Sequence, residues 1–157
     1  MRADVGFWLS LHLIGVLLMV GNIVTAAFWK IRADRTGNPR IMHHAAKNVM
    51  IADYVFTIPG LALIVLSGGM MTGSLGYSLT GLNWLTFSLS LFALTGLIWL
   101  LILIPMQRQM IRLSADGIES GSVPADYHKA SRNWAVYGTV ATLLPLGILY
   151  LMVTKGF

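Results

Sequence analysis

Cysteine is absent from this sequence, and charged residues are scarce. Without cysteine the chain forms no disulfide, no thiolate metal site and no covalent attachment to a c-type haem. Charged residues make up 11% of the chain, whereas a soluble domain carries roughly 25%. So few charges cannot cover a surface that faces water. With 56% hydrophobic residues and a mean hydropathy of +0.72, the composition indicates a membrane protein.

The sequence also lacks the motifs of hydrolytic and nucleotide chemistry. It contains no nucleophile elbow, no phosphate-binding loop, no HExxH pattern and no paired carboxylates. The net charge of +5 would suit nucleic acid, but the basic residues stand between long apolar runs, where membrane topology explains them. We therefore expect the lipid bilayer, and no nucleic acid, as a partner.

Four apolar segments are long enough to cross a bilayer, which takes about 20 residues of helix. They cover about residues 6–29, 49–71, 83–105 and 134–154. Every backbone polar group in lipid needs a partner within a helix or a closed barrel, so such segments predict helices. The expected fold is all-α, a single membrane domain built as a polytopic four-helix transmembrane bundle.

The distribution of basic residues predicts the orientation. Nine of the eleven lysines and arginines lie in segments 30–48 and 106–133, and connection 72–82 has none. The positive-inside rule places both basic segments in the cytoplasm and both termini outside. Helical spans predict the inner (cytoplasmic) membrane of a bacterium.

Two stretches of the basic segments resemble each other. Residues 39–48 (PRIMHHAAKN) and 124–133 (PADYHKASRN) both fit P-x-x-x-H-x-A-x-[K/R]-N. A proline near the first helical position is a start signal, so helices 2 and 4 are expected to begin before the membrane. The pattern predicts a parallel duplication of a helical hairpin, with half-repeats of about 1–72 and 83–157.

One ionisable side chain, His12, lies within the first span. Helical spacing places it on one face with small or polar residues: Gly15, Met19, Asn22 and Ala26. A neutral imidazole binds haem iron, copper or zinc, and ionisable residues in spans are functional candidates. Alternatively, His12 only hydrogen-bonds Ser67, Ser88 or a backbone carbonyl and contributes ~0.6 kcal/mol to helix packing.

Three methionines are expected at the depth of His12: Met70, Met71 and Met152. Each could supply a second ligand, because His/Met ligation occurs in haem proteins and thioethers bind Cu(I). Methionine also fills irregular gaps in protein cores, so packing is the alternative role for each of them.

Further polar residues are expected toward the cytoplasmic side. Asp53 lies about one turn inside the second span, with Asn22 and Thr57 near its level. A buried carboxylate needs a cation or several donors, so we expect Asp53 to tie its helix to the basic segments, with proton relay as the alternative. The cations within reach are Lys47, Arg108 and Arg132.

Three histidines occupy the cytoplasmic ends of helices 2 and 4. They are His43, His44 and His128. The repeat would place His43 opposite His128, and paired histidines can hold a haem or a divalent metal. Their polar surroundings favour a solvated position near lipid phosphates instead.

Four stretches carry a resemblance to a known family: LHLIGVLLMVGN around His12, ADYVFTIPGL around Asp53, NWAVYG at 133–138 and LMVTKGF at the end. On these, nearly the whole chain resembles a bacterial family of predicted integral membrane proteins, domain of unknown function 2269. That resemblance implies no activity.

Two short stretches, LHLIG and MVTK, are also similar to HemJ-type protoporphyrinogen oxidases and CopD-type copper-resistance membrane proteins. The HemJ resemblance implies a b-type haem inside a helical bundle with His12 as axial ligand. The second ligand of that group is a lysine in the third span, but segment 83–105 contains neither lysine nor histidine. This departure counts against HemJ activity and leaves the second ligand open.

Three functions remain as hypotheses. The first is a small haem b-binding electron carrier or redox-complex subunit with His12 as axial ligand; as an enzyme it would be an oxidoreductase related to protoporphyrinogen oxidation. The second is a structural or assembly subunit without a cofactor. The third is a copper-handling transporter or accessory protein. Because four spans make a thin bundle, we also expect a homo-oligomer or a larger respiratory or redox complex.

Overall fold

The computed structural model describes residues 2–155 of the chain and the side chains from Asp4 to Lys155. Within this range every regular element is helical. The elements form four long helices, here named α1 (Arg2–Asp34), α2 (Pro39–Leu75), α3 (Trp84–Ser120) and α4 (Ala125–Thr154). Each is long and apolar enough to cross a membrane. The predicted all-α four-helix membrane fold is therefore confirmed. Arg2 was expected at the end of the bundle away from the basic segments, but its side chain lies outside the described residues.

Local signals set the helix ends. The Asn38 side chain accepts the backbone N–H of Arg40 at 3.0 Å, and Pro39 follows the cap, so α2 begins before the apolar span as predicted. At the start of α3, Asn83 and Thr86 form a reciprocal capping box. Residues 35–38 and 121–124 connect helices at one end of the bundle, here called the basic end.

The helices are longer than the predicted spans. Helix α3 continues past Pro105 to Ser120, so more than half of segment 106–133, which connects the third and fourth predicted spans, is helical. Its polar residues remain compatible with a helix because the basic ones face outward: Arg108 and Arg112 are exposed. Outside the apolar spans, α2, α3 and α4 therefore continue as a bundle in the basic end.

A π-helical turn interrupts both α2 and α3. These turns cover Asp53–Thr57 and Trp99–Leu103, and each is followed by an Ile-Pro pair. The N–H of the isoleucine bonds the carbonyl five residues back in both cases. Proline lacks an N–H and collides with the carbonyl four residues earlier, and the wide turn before it relieves this conflict. Pro59 and Pro105 therefore shift the helical register without ending the helix.

The four helices are joined at the basic end and separated at the other. There the core packs α2, α3 and α4 together; its members include Met42, Ala46, Met110, Tyr127 and Ala130. Beyond the π-turns the helices divide into two pairs. No Cα of residues 58–75 lies within 8 Å of residues 84–98 or of α4, and α1 stays equally far from residues 84–98.

Small residues hold one of these pairs together. A Cβ placed on Gly15 of α1 would lie 2.7 Å from the Gly60 carbonyl oxygen of α2, and a Cβ on Gly60 would lie 2.8 Å from that of Gly15. The two backbones are in direct contact, as small-residue faces allow in membranes. The predicted α1 face is also confirmed, because Gly15, Met19 and Asn22 are buried.

Candidate functional site

The centre of the site is the carboxylate of Asp53, which is 7% exposed and accepts four hydrogen bonds. Asn22 Nδ2 and Thr57 Oγ1 each donate to Oδ1 at 3.0 Å. Trp99 Nε1 donates to Oδ2 at 3.2 Å, and Gln107 Nε2 donates to the same oxygen at 2.8 Å. A carboxylate has about four acceptor positions, so its hydrogen-bonding capacity is filled by α1, α2 and α3.

The cations expected to pair with Asp53 do not contact it, although Gln107 of segment 106–133 does tie Asp53 to a basic segment. All four donors are neutral, and the cations predicted within reach are exposed: Lys47, Arg108 and Arg132. Those long side chains remain in the polar zone, where their charges are hydrated. Several neutral donors instead stabilise the buried carboxylate, which leaves its negative charge without a cation in direct contact.

The π-turns bring this cluster together. Asp53 and Trp99 are the first residues of the two π-turns, so each helix presents its irregular turn to the other. Asp53 and Thr57 both point inward from the same turn and are both buried. Sequence reasoning placed Asn22, Asp53 and Thr57 at one level, which the structure confirms, but it missed Trp99 and Gln107.

A cleft of about 300 Å³ lies between the two helix pairs. Its walls are mostly apolar, and its lining includes Ile23, Leu61, Phe92 and Thr142. Asp53, Trp99, Gln107 and Trp134 also line it at the level where the pairs join, and we call these four residues the polar floor. The cleft is therefore a mostly apolar space with a few buried polar residues in its lining.

The cleft is open at its side. Two lining residues of facing helices, Val24 on α1 and Leu143 on α4, are 53% and 59% exposed. In a bilayer these surfaces face acyl chains, since the spans have no other apolar cover. A molecule dissolved in the membrane therefore reaches the cleft without crossing water.

Two atoms of the polar floor are buried without a hydrogen-bond partner. Among the described side chains these are Gln107 Oε1 and Trp134 Nε1, on residues that are 2% and 7% exposed. The Gln107 amide cannot be reversed, because Asp53 only accepts hydrogen bonds and therefore fixes the NH₂ group toward itself. The residues that line the cleft therefore include one unpaired acceptor and one unpaired donor, and each unpaired buried group costs about 1–3 kcal/mol.

A second polar cluster, which sequence reasoning missed, lies on the basic side of the floor. Lys30, 1% exposed, forms a 2.5 Å ion pair with Asp34 and also donates to Ser131. Asp34 accepts from Tyr127 at 2.7 Å and from Ser131 at 2.5 Å. The Lys30 ammonium lies 5.4 Å from the centroid of the Trp134 ring, so it is next to the floor. The i,i+4 spacing of Lys30 and Asp34 was the available signal.

His12 contacts α2 near the end away from the basic end. Its Nδ1 lies 3.1 Å from the Ile64 carbonyl oxygen and 3.1 Å from Ser67 Oγ. Because Ser67 donates its own proton to the Leu63 carbonyl, a neutral His12 ring donates from Nδ1. This is the contact expected from the packing interpretation, but it also leaves Nε2 unprotonated, which is the tautomer of many metal-bound histidines. Ser88, the other expected partner, instead donates to the Trp84 carbonyl on α3.

The residues around His12 fit a haem only in part. The ring packs on Gly68, and Met71 lies one turn further along the same face of α2. Met70 is 48% exposed, and Met152 lies on α4, which residues 58–75 of α2 do not approach within 8 Å. His12 does not line the cleft, and within residues 4–155 no group of three histidine, aspartate or glutamate side chains is placed to hold a metal ion. One ligand of suitable tautomer is therefore present, and it lies outside the lining of the cleft.

His43 repeats the arrangement of His12. Its Nδ1 lies 3.1 Å from the Ile111 carbonyl oxygen and 3.0 Å from Ser114 Oγ, so it binds α3 as His12 binds α2. His44 and His128, by contrast, are exposed, as the solvated interpretation predicts. The contacts of His43 are thus with α3 and not with His128.

A pattern in the sequence accompanies this equivalence. Both histidines begin H-x₂-[G/A]-x₃-M-x₂-[N/D], which ends at Asn22 in α1 and at Asp53 in α2. Those two final residues form one hydrogen bond of the site. This internal likeness relates α1 to α2, whereas the duplicated hairpin predicted from residues 39–48 and 124–133 stays a prediction.

Four apolar membrane-spanning helices around a buried polar cluster define a multi-pass integral membrane protein. A family model for a predicted integral membrane protein, DUF2269, matches residues 8–156, and the chain belongs to that family. No curated protein and no solved structure matches the chain.

Proposed function

We propose that this protein binds a small amphiphilic molecule of the bilayer in the cleft between its two helix pairs. The observation that carries the proposal is the combination of apolar walls with a buried polar floor. Ligand sites are typically apolar spaces with a few convergent polar groups. Ionisable residues inside membrane spans mark functional sites, and Asp53 provides one at the floor.

The position of the floor favours a lipophilic ligand. Asp53 and Gln107 line the cleft and are buried, whereas Val24 and Leu143 line it and are exposed on the side toward lipid. A ligand that enters from the bilayer would leave its alkyl part between the helix pairs and place its head at the floor. Both parts would then be matched by groups of the same polarity.

Filling the cleft tests this proposal. Gly138 of α4 lines it, and a Cβ added there meets no atom within 4 Å, so Gly138→Leu occupies the space without a backbone clash. Gly147→Leu is the matched control, because Gly147 is on the same helix, is equally unobstructed and does not line the cleft. Gly96→Leu on α3 repeats the test from the opposite wall.

The readout is photolabelling in nanodiscs with long-chain alkyl diazirines that carry an alcohol, an ammonium or a carboxylate head. We expect saturable labelling of cleft residues such as Phe92 and Thr142 by one of the probes. It should be lost in Gly138→Leu and kept in Gly147→Leu. Leu66 and Leu101, each 65% exposed, report non-saturable labelling from bulk lipid. Labelling of the cleft that never saturates for any probe would reject the proposal.

A haem b site at His12 is a second candidate, and the tautomer of His12 is the observation that favours it. With Nδ1 donating to the Ile64 carbonyl, Nε2 would be the ligand, and Met71 is the methionine best placed to be the other. Haem bound there would provide electron-transfer chemistry, as a carrier or as a redox-complex subunit. Copper at the same imidazole is the corresponding metal-handling proposal.

Absorption spectra of the purified protein separate these candidates. A Soret band that disappears in His12→Ala but persists in His44→Ala supports haem, and a colourless protein that retains copper supports the metal-handling role. If neither group is bound and His12→Ala only lowers thermal stability, then His12 acts in packing, as in a structural or assembly subunit.

We propose that the basic end faces the cytoplasm of a bacterium and that both termini lie outside the inner membrane. Eight of the nine basic residues at this end are exposed, and Lys30 is the exception. Because the chain has no cysteine, single substitutions report topology directly. With a membrane-impermeant maleimide, Ser78→Cys should react in intact cells and Thr36→Cys should react only after lysis. The same preparations in mild detergent test the homo-oligomer or larger complex by mass.

A further inference from the structure

We propose that the ligand of the cleft carries a neutral head group that both donates and accepts a hydrogen bond, as a hydroxyl does. The inference rests on the proposed function, since it specifies the chemistry of the same site. It comes from the two unpartnered atoms of the polar floor, Gln107 Oε1 and Trp134 Nε1. Both residues are more than nine-tenths buried and both line the cleft.

Each of the two atoms requires a different part of the head group. Gln107 Oε1 is an acceptor, because the amide NH₂ is bound to Asp53 at 2.8 Å, so it needs an O–H or N–H from the ligand. Trp134 Nε1 is only a donor, so it needs an oxygen or nitrogen lone pair. A hydroxyl supplies both with a single polar atom, and its chain then extends along the apolar walls.

The charges around the floor disfavour an anionic head. Asp53 has no cation in contact, whereas Lys30 is neutralised by Asp34 at 2.5 Å, so the described side chains next to the floor carry net negative charge. A carboxylate or phosphate head would be placed beside Asp53 in a medium of low dielectric constant, where like charges repel strongly.

An ammonium head would be attracted by the charge of Asp53 but would match the hydrogen-bonding groups of the floor less completely than a hydroxyl. The acceptor positions of Asp53 are filled by its four neutral donors, so a cation would find Gln107 Oε1 as its one new acceptor at the floor. An ammonium has three donors and no acceptor, so it would leave Trp134 Nε1 unpaired and would lose its hydration. The neutral hydroxyl is the head group that satisfies both atoms.

Competition between the diazirine probes tests the head group. On the unmodified protein we expect the alcohol to label the cleft at the lowest concentration, ahead of the ammonium and the carboxylate. The methyl ether of the alcohol keeps the acceptor and loses the donor, so it should bind about fivefold to tenfold more weakly, the effect of one hydrogen bond.

Trp134→Phe removes the indole N–H and keeps an aromatic ring. It should weaken the alcohol and the methyl ether by the same factor, about fivefold to tenfold, because both accept from Trp134. Trp29→Phe is the control, since Trp29 is 65% exposed and does not line the cleft. If Trp134→Phe unfolds the protein, then the comparison of alcohol with methyl ether on the unmodified chain still tests whether the head group donates a hydrogen bond.

The outcomes separate this inference from the proposed function. Preferred saturable labelling by the ammonium or the carboxylate would overturn the neutral head and retain the ligand site. Equal affinity of alcohol and methyl ether, or unchanged affinity of both in Trp134→Phe, would show that the unpartnered atoms do not recognise the head. Absence of saturable labelling by every probe would overturn the ligand site itself.

Discussion

The indole N–H of Trp99 donates a 3.2 Å hydrogen bond to the carboxylate of Asp53, and each residue is the first of a π-helical turn. The two irregular turns of the protein's described part thus meet at its buried carboxylate. Single π-turns within α-helices are frequent at functional sites. Here they hold donors and acceptor in register on two different helices, and the polar floor of the cleft depends on that register.

Neutralising Asp53 should destabilise the protein. In Asp53→Asn an NH₂ group replaces one acceptor oxygen and faces donors, so at least two of the four hydrogen bonds are lost. We expect unfolding free energy to fall by about 2–4 kcal/mol, since hydrogen bonds to charged groups contribute about 1.5–3 kcal/mol each. Thermal unfolding in detergent measures this. Asp126→Asn, an exposed change at the start of α4, is the control and should have little effect.

Substitution by phenylalanine should lower the stability of the protein by different amounts at the two tryptophans of the floor. Trp99→Phe loses a bond to a buried carboxylate and should cost about 1.5–3 kcal/mol. Trp134→Phe removes an N–H that has no partner, so the ligand-free protein should lose much less stability. The measurement is the melting temperature of both variants in the same detergent. A larger loss in Trp134→Phe than in Trp99→Phe would mean that the Trp134 N–H is satisfied.

Gly15→Ala should weaken the contact between α1 and α2. The new Cβ would lie 2.7 Å from the Gly60 carbonyl oxygen, so the backbones must separate, and overpacking of this kind costs about 1–3 kcal/mol. Gly21→Ala on the same helix meets no atom within 4 Å and should be neutral or slightly stabilising, because alanine favours helix more than glycine does. Equal melting temperatures for the two variants would argue against direct backbone contact at Gly15.

The buried ion pair should show coupling in a double-mutant cycle. Asp34→Asn leaves the Lys30 ammonium, 1% exposed, without its carboxylate, and removing one member of a buried pair costs about 3–5 kcal/mol. Lys30→Met fills similar volume without charge, so the double variant should recover part of the loss. Additive effects of the single changes would indicate that Lys30 escapes to water when Asp34 is neutral.

The sequence allowed a correct prediction of the features that each helix determines by itself. The four spans follow from apolar length, the start of α2 from Asn38 and Pro39, and the buried face of α1 from its helical spacing. The common level of Asn22, Asp53 and Thr57 follows from depth along the spans. These features need only the periodicity of a helix and the polarity of lipid.

The sequence did not allow a prediction of which side chains on different helices bond to one another. Exposed cations were expected to satisfy Asp53, and the structure uses neutral donors that include Trp99 and Gln107. That choice depends on how α3 is rotated after its π-turn. The separation of the helix pairs then leaves Gln107 and Trp134 in the lining of a cleft. Composition and spacing determined that this chain is a four-helix membrane protein with polar groups in its spans. Packing between helices decided where those groups meet, because the rotation and distance of neighbouring helices depend on contacts that residues far apart in the chain make together.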